Sequence, residues 1–289
     1  HNIGLDEFVI GEGIDGLLGY LVRIFINAAD AVVTSQGAYP TFNYHVVGFG
    51  GVLHTVPYKD DHEDLDALAE QAQKTGAKLV YLANPDNPMG TWHSADAVVT
   101  FARSLPMGCL LVLDEAYIDT APEGTSPALD IDLPNVIRMR TFSKAYGLAG
   151  ARVGYAIGPP KLIAEFAKVK NHFGMSRISL AGALAAVQDQ DYLRETVQRI
   201  VQNRAKIVQI AERCGLTSLT SATNFVTIDC GQDGDFARAV LQNLISQGIF
   251  VRMPFVAPQD RCIRVSCGTD ENSQHFSKAL PLALTNAQT

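Results

Sequence analysis

The stretch RTFSKAYGLAGARVGY spans residues 140–155. Lys144 follows Ser143 at the end of an apolar run, and a loop rich in Gly and Ala leads from there to Arg152. Arginine suits phosphate because its planar fork donates two hydrogen bonds at once. Ser143 and Arg152 can therefore hold a phosphate while the Lys144 amine attacks an aldehyde beside it. On this stretch alone, a surface Ser-Lys pair followed by a loop of small residues stays open as the alternative.

A second stretch, LVLDEAY at residues 111–117, ends an apolar strand with an acidic pair. Such a strand end points toward the crevice where open α/β sheets bind ligands. A carboxylate is costly to bury there unless it is paired. A protonated pyridine nitrogen suits Asp114, because the bond keeps the ring cationic and able to accept electrons, and Tyr117 is placed to reach the phenolic oxygen of such a ring. The competing Mg²⁺ carboxylate of nucleotide hydrolases needs a P-loop, and the sequence has no G-x-x-x-x-G-K-[ST].

Two further segments indicate a cofactor site only in combination with the two stretches above. NPDNPMGT at residues 84–91 is a rigid turn after a strand, and it offers Asn87 as a second donor to the phenolic oxygen. Tyr39 precedes a proline in GAYPTF and can stack on a cofactor ring, although taken alone it is better explained as a packing tyrosine.

The segment GEGIDG, residues 11–16, matches G-x-G-x-x-G between a short strand and a helix. A dinucleotide site is one interpretation, but it requires an acidic residue about 20 positions further on. The sequence there, SQGAYPTF, contains none. The favoured interpretation is a cradle for one phosphate, formed by the backbone amides of Ile14 and Asp15 at the helix start.

Arg264 lies between apolar residues in RCIRVSCGT, residues 261–269. A solvated charge explains it poorly, whereas an arginine that clamps a substrate carboxylate or phosphate explains it well. A buried ion pair with an acid such as Asp229 is the structural alternative. Arg252 in FVRM is a weaker candidate for contact with the far end of the substrate.

The pattern of the chain predicts an α/β fold. In the first half, short apolar runs alternate with helical connectors such as 64–75 and 95–104, which indicates a mainly parallel sheet covered on both faces. After about Asp189 the pattern changes to a long amphipathic helix over 192–214. Strands predicted at NFVTIDC, IFVRM and RCIRVSCG, with two more helices, then form a small α+β domain.

Composition narrows the class of protein. The 289 residues are 47% hydrophobic and 18% charged, which is typical of a globular chain. A net charge of -7 argues against nucleic-acid or anionic-membrane partners, and no apolar run reaches the ~18–20 residues of a membrane span. Five cysteines without a C-x-x-C pair indicate reduced thiols in a cytoplasmic protein, and no histidine spacing indicates a metal. No signal peptide is visible.

Taken in order, these segments resemble the fold-type-I pyridoxal-phosphate (PLP) aminotransferases, most closely the histidinol-phosphate aminotransferase family. The resemblance runs from about Gly11 to Thr269 through GEGID, AYP, NPDNPMGT, DEAY, TFSKAYGLAGARVGY, SATNFV and RVSCGT. It implies the PLP-dependent transferase fold, transamination between an amino donor and a 2-oxo acid, and a homodimer. It also implies that Lys144 carries PLP as a Schiff base and moves the substrate proton.

The resemblance implies roles at matching positions. Cofactor contacts are implied for Ile14 and Asp15 through backbone amides, Tyr39 on the ring, Asn87 and Tyr117 on the phenolic oxygen, Asp114 on the ring nitrogen, and Ser143, Lys144 and Arg152. Substrate contacts are implied for Arg264, with Asn224 nearby and Arg252 further out. The implied domains are residues 1–186, which bind PLP and lack the N-terminal arm of the family, and residues 187–289.

The sequence departs from the family at two places, one that concerns the substrate and one in the phosphate turn. HFGMSRIS at residues 172–179 differs from the usual segment, and Ile14 stands where the family prefers Ser or Ala. The donor is expected to be histidinol phosphate or an aromatic amino acid. A decarboxylase of the threonine-phosphate type and a non-catalytic PLP- or ligand-binding module remain as alternatives.

Overall fold

The computed structural model describes residues 3–288, and its larger sheet has seven strands. These are β1 (Phe8–Gly11), β2 (Ala31–Ser35), β3 (Val52–Val56), β4 (Leu79–Ala83), β5 (Leu110–Asp114), β6 (Val136–Thr141) and β7 (Gly154–Ile157). Their spatial order is β1-β7-β6-β5-β4-β2-β3. The pairs from β3 to β6 are parallel, and β7 runs antiparallel to both β6 and β1. The predicted α/β fold with a mainly parallel, mixed sheet is confirmed.

The position of β1 bears on the GEGIDG segment that follows it. This strand lies at the edge of the sheet and pairs only with an antiparallel neighbour among the described residues. A dinucleotide-binding unit instead begins with a strand inside a parallel sheet. The dinucleotide interpretation of residues 11–16 is therefore excluded by topology.

Helices cover both faces of this sheet. They are α1 (Gly13–Phe25), α2 (Thr41–Gly48), α3 (Leu65–Thr75), α4 (Ala95–Ser104), α5 (Pro160–Glu165) and α6 (Arg177–Gln188). Because side chains alternate along a strand, Tyr81 of β4 packs on the α1 side and Val80 on the α3 and α4 side. Two hydrophobic layers result, so the strands are buried on both faces, as their continuous apolar runs predict.

Capping residues explain why the predicted helix bounds are accurate. The side chain of Asp64 accepts a hydrogen bond from Ala67 N at the start of α3, and Gly76 ends this helix in the left-handed conformation at φ 63°. Ser94 caps α4 in the same way by accepting from Ala97 N. These local signals are readable in sequence because each bond joins residues three positions apart.

A second, three-stranded sheet follows, in the order β10-β9-β8. Its strands are β8 (Thr217–Ser218), β9 (Phe225–Asp229) and β10 (Cys262–Ser266), and its helices are α7 (Gln190–Arg213), α8 (Gly234–Ser246) and α9 (Asp270–Ala287). The strand predicted at IFVRM is wrong, since only a single bridge joins Arg252 to Arg264. Pro254 follows directly and has no N–H to continue the ladder.

No helix within residues 3–288 has both the length and the apolar character that crossing a membrane requires. The five cysteines are unpaired, and three of them, Cys109, Cys230 and Cys262, are buried.

Candidate active site

The candidate site forms where strands β4, β5 and β6 end. Parallel strands bring their carboxyl ends to one edge of a sheet, and Ala83 lies in register with Asp114 there. Asn84 N donates to Asp114 O at 2.9 Å, so the turn that carries Asn87 starts beside the acid. The chain leaving β6 at Thr141 supplies Ser143 and Lys144 to the same edge.

A cavity of about 750 Å³, open to solvent, lies at this edge. The nine positions with predicted cofactor contacts all line it, namely Ile14, Asp15, Tyr39, Asn87, Asp114, Tyr117, Ser143, Lys144 and Arg152. Residues from five separate parts of the sequence therefore converge on one concave surface.

Lys144 extends over the ring of Tyr117, with Nζ 4.9 Å from the ring centre. Burial lowers the pKa of the Lys144 amine below its ordinary value, and the positive charges of Arg264 and Arg152 lower it further against the opposing effect of Tyr39 and Asp114. A lysine in this environment is neutral in a larger fraction of molecules than a lysine in water. The neutral amine is the form that attacks an aldehyde or takes up a proton.

Asp114 is buried at 6% exposure, and both of its oxygens accept hydrogen bonds. Tyr81 OH donates to Oδ2 at 2.7 Å, and Ala116 N donates to Oδ1 at 2.9 Å. Burial raises the pKa of the carboxyl, while these bonds and the charge of Lys144 act in the opposite direction. The sequence analysis missed Tyr81, although a tyrosine inside a buried strand signals a hydroxyl that needs a partner.

The second acid of the pair, Glu115, does not point into the cavity as the acidic pair was expected to. It accepts from Arg138 Nε at 3.1 Å and from Arg140 Nε at 2.8 Å. Burial alone would raise the pKa of Glu115, but the two arginines outweigh that effect and lower it. The pair is thus divided, because successive residues at a strand end face opposite sides of the sheet.

The phosphate turn (residues 11–16) meets Arg152 at Gly13. Gly13 has φ 77°, and a Cβ on it would collide with Arg152 Nη2. The Arg152 guanidinium therefore lies directly against the start of α1, where the amides of Ile14 and Asp15 begin the helix. A guanidinium and a helix N-terminus side by side form a site for a dianion. The Asp15 carboxylate bonds to His45 Nε2 at 2.9 Å, so its backbone amide is the part available to a phosphate.

Ser143 is fixed by its neighbour Thr141. Thr141 Oγ1 donates to Ser143 Oγ at 2.8 Å and accepts from Ser143 N at 3.1 Å. Thr141 also lines the cavity, and the sequence analysis missed it. The pair gives the phosphate side of the cavity two hydroxyl groups in a fixed arrangement.

Arg264 reaches the rim of the cavity from the small sheet. Its Nη1 donates to Asn87 Oδ1, and its guanidinium lies 4.7 Å from the centre of the Phe225 ring. Its Nε is buried and has no acceptor among residues 3–288. Burial lowers the pKa of Arg264. The structural alternative of an ion pair with Asp229 is wrong, because Asp229 accepts instead from Arg261 Nε at 2.7 Å.

The remaining predicted residues lie around this rim. Tyr39 is 45% exposed and lines the cavity. Asn224 is half-buried, and its carbonyl accepts from Cys267 N at 2.8 Å, which leaves its side chain outside that bond. Arg252 is exposed, and its backbone pairs with that of Arg264. Arg252 and Asn224 are not part of the cavity lining itself.

These residues fit pyridoxal phosphate. The buried Asp114 accepts only from uncharged donors, so a protonated ring nitrogen supplies the cation that this carboxylate lacks. Arg152 lies against Gly13 at the start of α1, where a phosphate would find a cation and free amides, and Lys144 lines the same cavity. The donor set therefore matches the charges along the cofactor from its nitrogen to its phosphate.

Comparison with known proteins agrees with this chemistry. Residues 4–280 match the family model "Aminotransferase class I and II". Histidinol-phosphate aminotransferase 1 of Nitrosococcus oceani is 34% identical over 285 residues, which cover 98% of this chain and 76% of that protein.

Two solved structures extend the comparison. The histidinol-phosphate aminotransferase of Sinorhizobium meliloti, solved in complex with pyridoxal-5'-phosphate, is 55% identical with a TM-score of 0.95, covering 97% of this chain and 77% of that one. An L-threonine-O-3-phosphate decarboxylase from Porphyromonas gingivalis has a TM-score of 0.83 at 16% identity, covering 98% of this chain and 85% of that one. At that identity the likeness shows the shared fold alone.

The fold and the cavity together define a PLP-dependent enzyme of fold type I. The chain belongs to the class I and II aminotransferases, and within them to the histidinol-phosphate aminotransferase family. Its cofactor is pyridoxal phosphate and its reaction is transamination of small molecules; the decarboxylase and non-catalytic alternatives are not better supported.

Proposed function

We propose that the amino donor is of the histidinol phosphate or aromatic amino acid class, and that Arg264 binds its acid group, which is the phosphate in the first case and the α-carboxylate in the second. The buried Arg264 Nε without an acceptor carries the proposal, because an unpaired buried donor of this kind costs free energy until a ligand supplies its partner. The names of the relatives, which are histidinol-phosphate aminotransferases, support the same substrate class. We also propose that Asn224, which directly precedes Phe225, and the exposed Arg252, whose backbone pairs with that of Arg264, contact the substrate.

The cofactor contacts that we propose follow from the cavity lining. The amides of Ile14 and Asp15, with Ser143 and Arg152, hold the phosphate. Tyr117 OH and the Asn87 amide donate to the phenolic oxygen, and Tyr39 covers the ring. Because Arg264 occupies Asn87 Oδ1, the NH₂ group of Asn87 is the part that donates to the cofactor.

In the reaction, the chain's own groups position the substrate and move one proton. When bound, the cofactor supplies a cationic ring that takes up the electron pair left as the α-proton departs. Asp114, anchored by Tyr81, keeps the ring nitrogen protonated. Lys144 Nζ, whose pKa is lowered by burial, takes the α-proton of the donor, holds it, and gives it back later in the cycle. Arg264 holds the acid group of the donor so that the α-carbon faces Lys144.

We also propose the division into residues 1–186 and 187–289, a homodimer, and a cytoplasmic location. Separate hydrophobic clusters around the two sheets support the division. Apolar side chains of α6, namely Ile178, Leu180, Leu184 and Val187, are exposed and support contact with a second copy. Unpaired cysteines support a reducing compartment. A measured mass of one chain in sedimentation equilibrium would exclude the dimer.

The donor is tested by spectroscopy of the PLP-loaded protein. Histidinol phosphate, histidinol, phenylalanine and glutamate are added in turn, and the cofactor spectrum, the keto product and released CO₂ are followed. Histidinol and histidinol phosphate form a matched pair that differs only in the acid group. We expect conversion of histidinol phosphate with far weaker conversion of histidinol, and no CO₂ from phenylalanine or glutamate, the two donors that carry a carboxylate. Equal conversion of the pair would refute the role of the acid group, and CO₂ release would indicate a decarboxylase.

A further inference from the structure

Arg261 joins the two sheets through three ionic hydrogen bonds. Its Nε donates to Asp229 Oδ2 at 2.7 Å, within the small sheet. Its Nη2 and Nη1 donate to Asp61 Oδ2 at 2.7 Å and Oδ1 at 3.2 Å, on the loop after β3. The side chains are about one quarter exposed, and the bonds to Asp61 together with Asp229 raise the pKa of Arg261. A two-point contact of this kind fixes orientation as well as distance.

The Arg261 contact is linked to the candidate active site through the turn at residues 84–91. Thr91 Oγ1 donates to Asp61 O at 2.9 Å, which ties the Asp61 loop to this turn. From the small sheet, Thr227 Oγ1 donates to Pro88 O at 2.7 Å, and Thr227 lies in register with Arg264. Arg264 in turn contacts Asn87. Arg261 and Arg264, three residues apart, thus hold the same region of the large sheet at two points.

The backbone at Asp61 is held in an unusual conformation. Asp60 and Asp61 have φ 50° and 60°, in the left-handed region that favours glycine. Two consecutive non-glycine residues persist there only where surrounding contacts hold them. Asp60 and Asp61 are the central residues of a turn closed by Lys59 N donating to His62 O at 2.9 Å and His62 N donating to Lys59 O at 3.0 Å. Arg261 and Thr91 bond to Asp61 in addition, whereas the side chain of Asp60 is exposed.

We propose that Arg261 is a positioning residue, which clamps Asp61 to Asp229 and thereby sets Arg264 at the distance from Lys144 that the acid-bearing substrate requires. This inference rests on the proposed function in one respect, since it takes Arg264 as the substrate-binding arginine. Neither Arg261 nor Arg264 lines the cavity, but Arg264 bonds to the lining residue Asn87, so the effect of Arg261 on the reaction passes through Arg264.

The test is steady-state kinetics of the holoenzyme with histidinol phosphate. Arg261→Gln, Asp61→Asn and Asp61→Gly each break the clamp. We expect each to raise KM about tenfold with kcat changed less than about twofold, because binding geometry is lost while the chemistry at Lys144 is kept. The double variant Arg261→Gln/Asp61→Asn should have the same KM as the single variants, since each single variant already breaks the contact between Arg261 and Asp61.

Two variants serve as matched controls. Asp60→Gly changes the adjacent left-handed aspartate, so it relieves the same kind of backbone strain while the Asp61 carboxylate stays. Arg199→Gln removes an exposed arginine that pairs with Glu195 within α7 and has no bond to Arg261, Asp61 or Asp229. Both should keep the KM of the unaltered enzyme. If Asp60→Gly raised KM as much as Asp61→Gly, backbone conformation rather than the clamp would be responsible, and the proposal would be overturned.

Arg264→Gln separates the two proposals. If Arg264→Gln raises KM and Arg261→Gln does not, the clamp is refuted and the substrate role of Arg264 stands. If Arg264→Gln leaves KM unchanged, the proposed function of Arg264 fails, and the clamp proposal fails with it.

Discussion

The guanidinium of Arg152 occupies the space that a Cβ on Gly13 would need. This contact joins the phosphate turn to the loop that follows Lys144, two segments that are more than 130 residues apart in sequence. It explains why the turn contains glycine at a position with φ 77°.

Gly13→Ala should therefore weaken PLP binding. The added methyl group displaces Arg152, and loss of a charge-assisted bond to phosphate costs about tenfold to a hundredfold in affinity. The change also costs about 1–3 kcal/mol of stability, because alanine is strained at positive φ. PLP titration of the cofactor-free protein measures the first effect and urea unfolding the second.

Gly76→Ala is the control for this prediction. Gly76 also has a positive φ, at 63°, but a Cβ there would meet nothing within 4 Å. It should lose stability and keep its affinity for PLP. Equal loss of affinity in both variants would show that strain, not the contact with Arg152, controls binding.

Asp114→Asn should lower kcat by about 10²–10³-fold, in the range for loss of one electrostatic group at a reacting centre. The amide keeps the shape of the carboxylate but cannot hold a proton on the ring nitrogen. Stopped-flow measurement of the half-reaction with the amino donor gives the rate. Asp119→Asn, an acid five residues along and outside the cavity lining, should leave the rate unchanged.

We expect the buried carboxyl of Asp86 to make the free energy of unfolding depend on pH. Burial raises the pKa of this carboxyl from 3.8 to about 7, although Met89 N and Tyr58 OH donate to it. Between those values the folded protein binds a proton that the unfolded chain has lost. The free energy of unfolding should then fall as pH rises through this window, by at most about 1.4 kcal/mol per pH unit.

The comparison for Asp86 is Asp86→Asn in the cofactor-free protein. Urea unfolding at several pH values between 4.5 and 7.5 should show a shallower decline for the variant than for the unaltered chain. Identical slopes for the variant and the unaltered chain would mean that a group other than Asp86 causes the pH dependence.

Local signals in the sequence sufficed for much of the fold. The helices at 65–75 and 95–104 follow from caps, and the strands from apolar runs, because these patterns depend on neighbouring residues. The lining of the cavity also follows from sequence, since strand ends meet at one edge of a parallel sheet. The strand at IFVRM failed because its pairing depends on a distant partner and on Pro254.

Sequence patterns did not predict the side-chain contacts between the two sheets. Nothing local assigns Asp229 to Arg261 instead of Arg264, since both arginines lie in one segment and the choice depends on how the Asp61 loop packs. Tyr81 was missed because its partner Asp114 lies on the neighbouring strand, and Thr141 because its bond to Ser143 depends on the conformation of the turn between them.

The central claim is that Lys144 holds the cofactor and moves the substrate proton. The most direct test is the visible absorption spectrum of PLP-loaded protein for the unaltered chain, Lys144→Ala and Lys161→Ala, before and after histidinol phosphate is added. Lys161 is an exposed lysine at the start of α5 and serves as the control. We predict that only Lys144→Ala loses the band of covalently bound cofactor, with turnover lowered by about 10²–10⁴-fold or more. An unchanged band and unchanged turnover in Lys144→Ala would contradict the account.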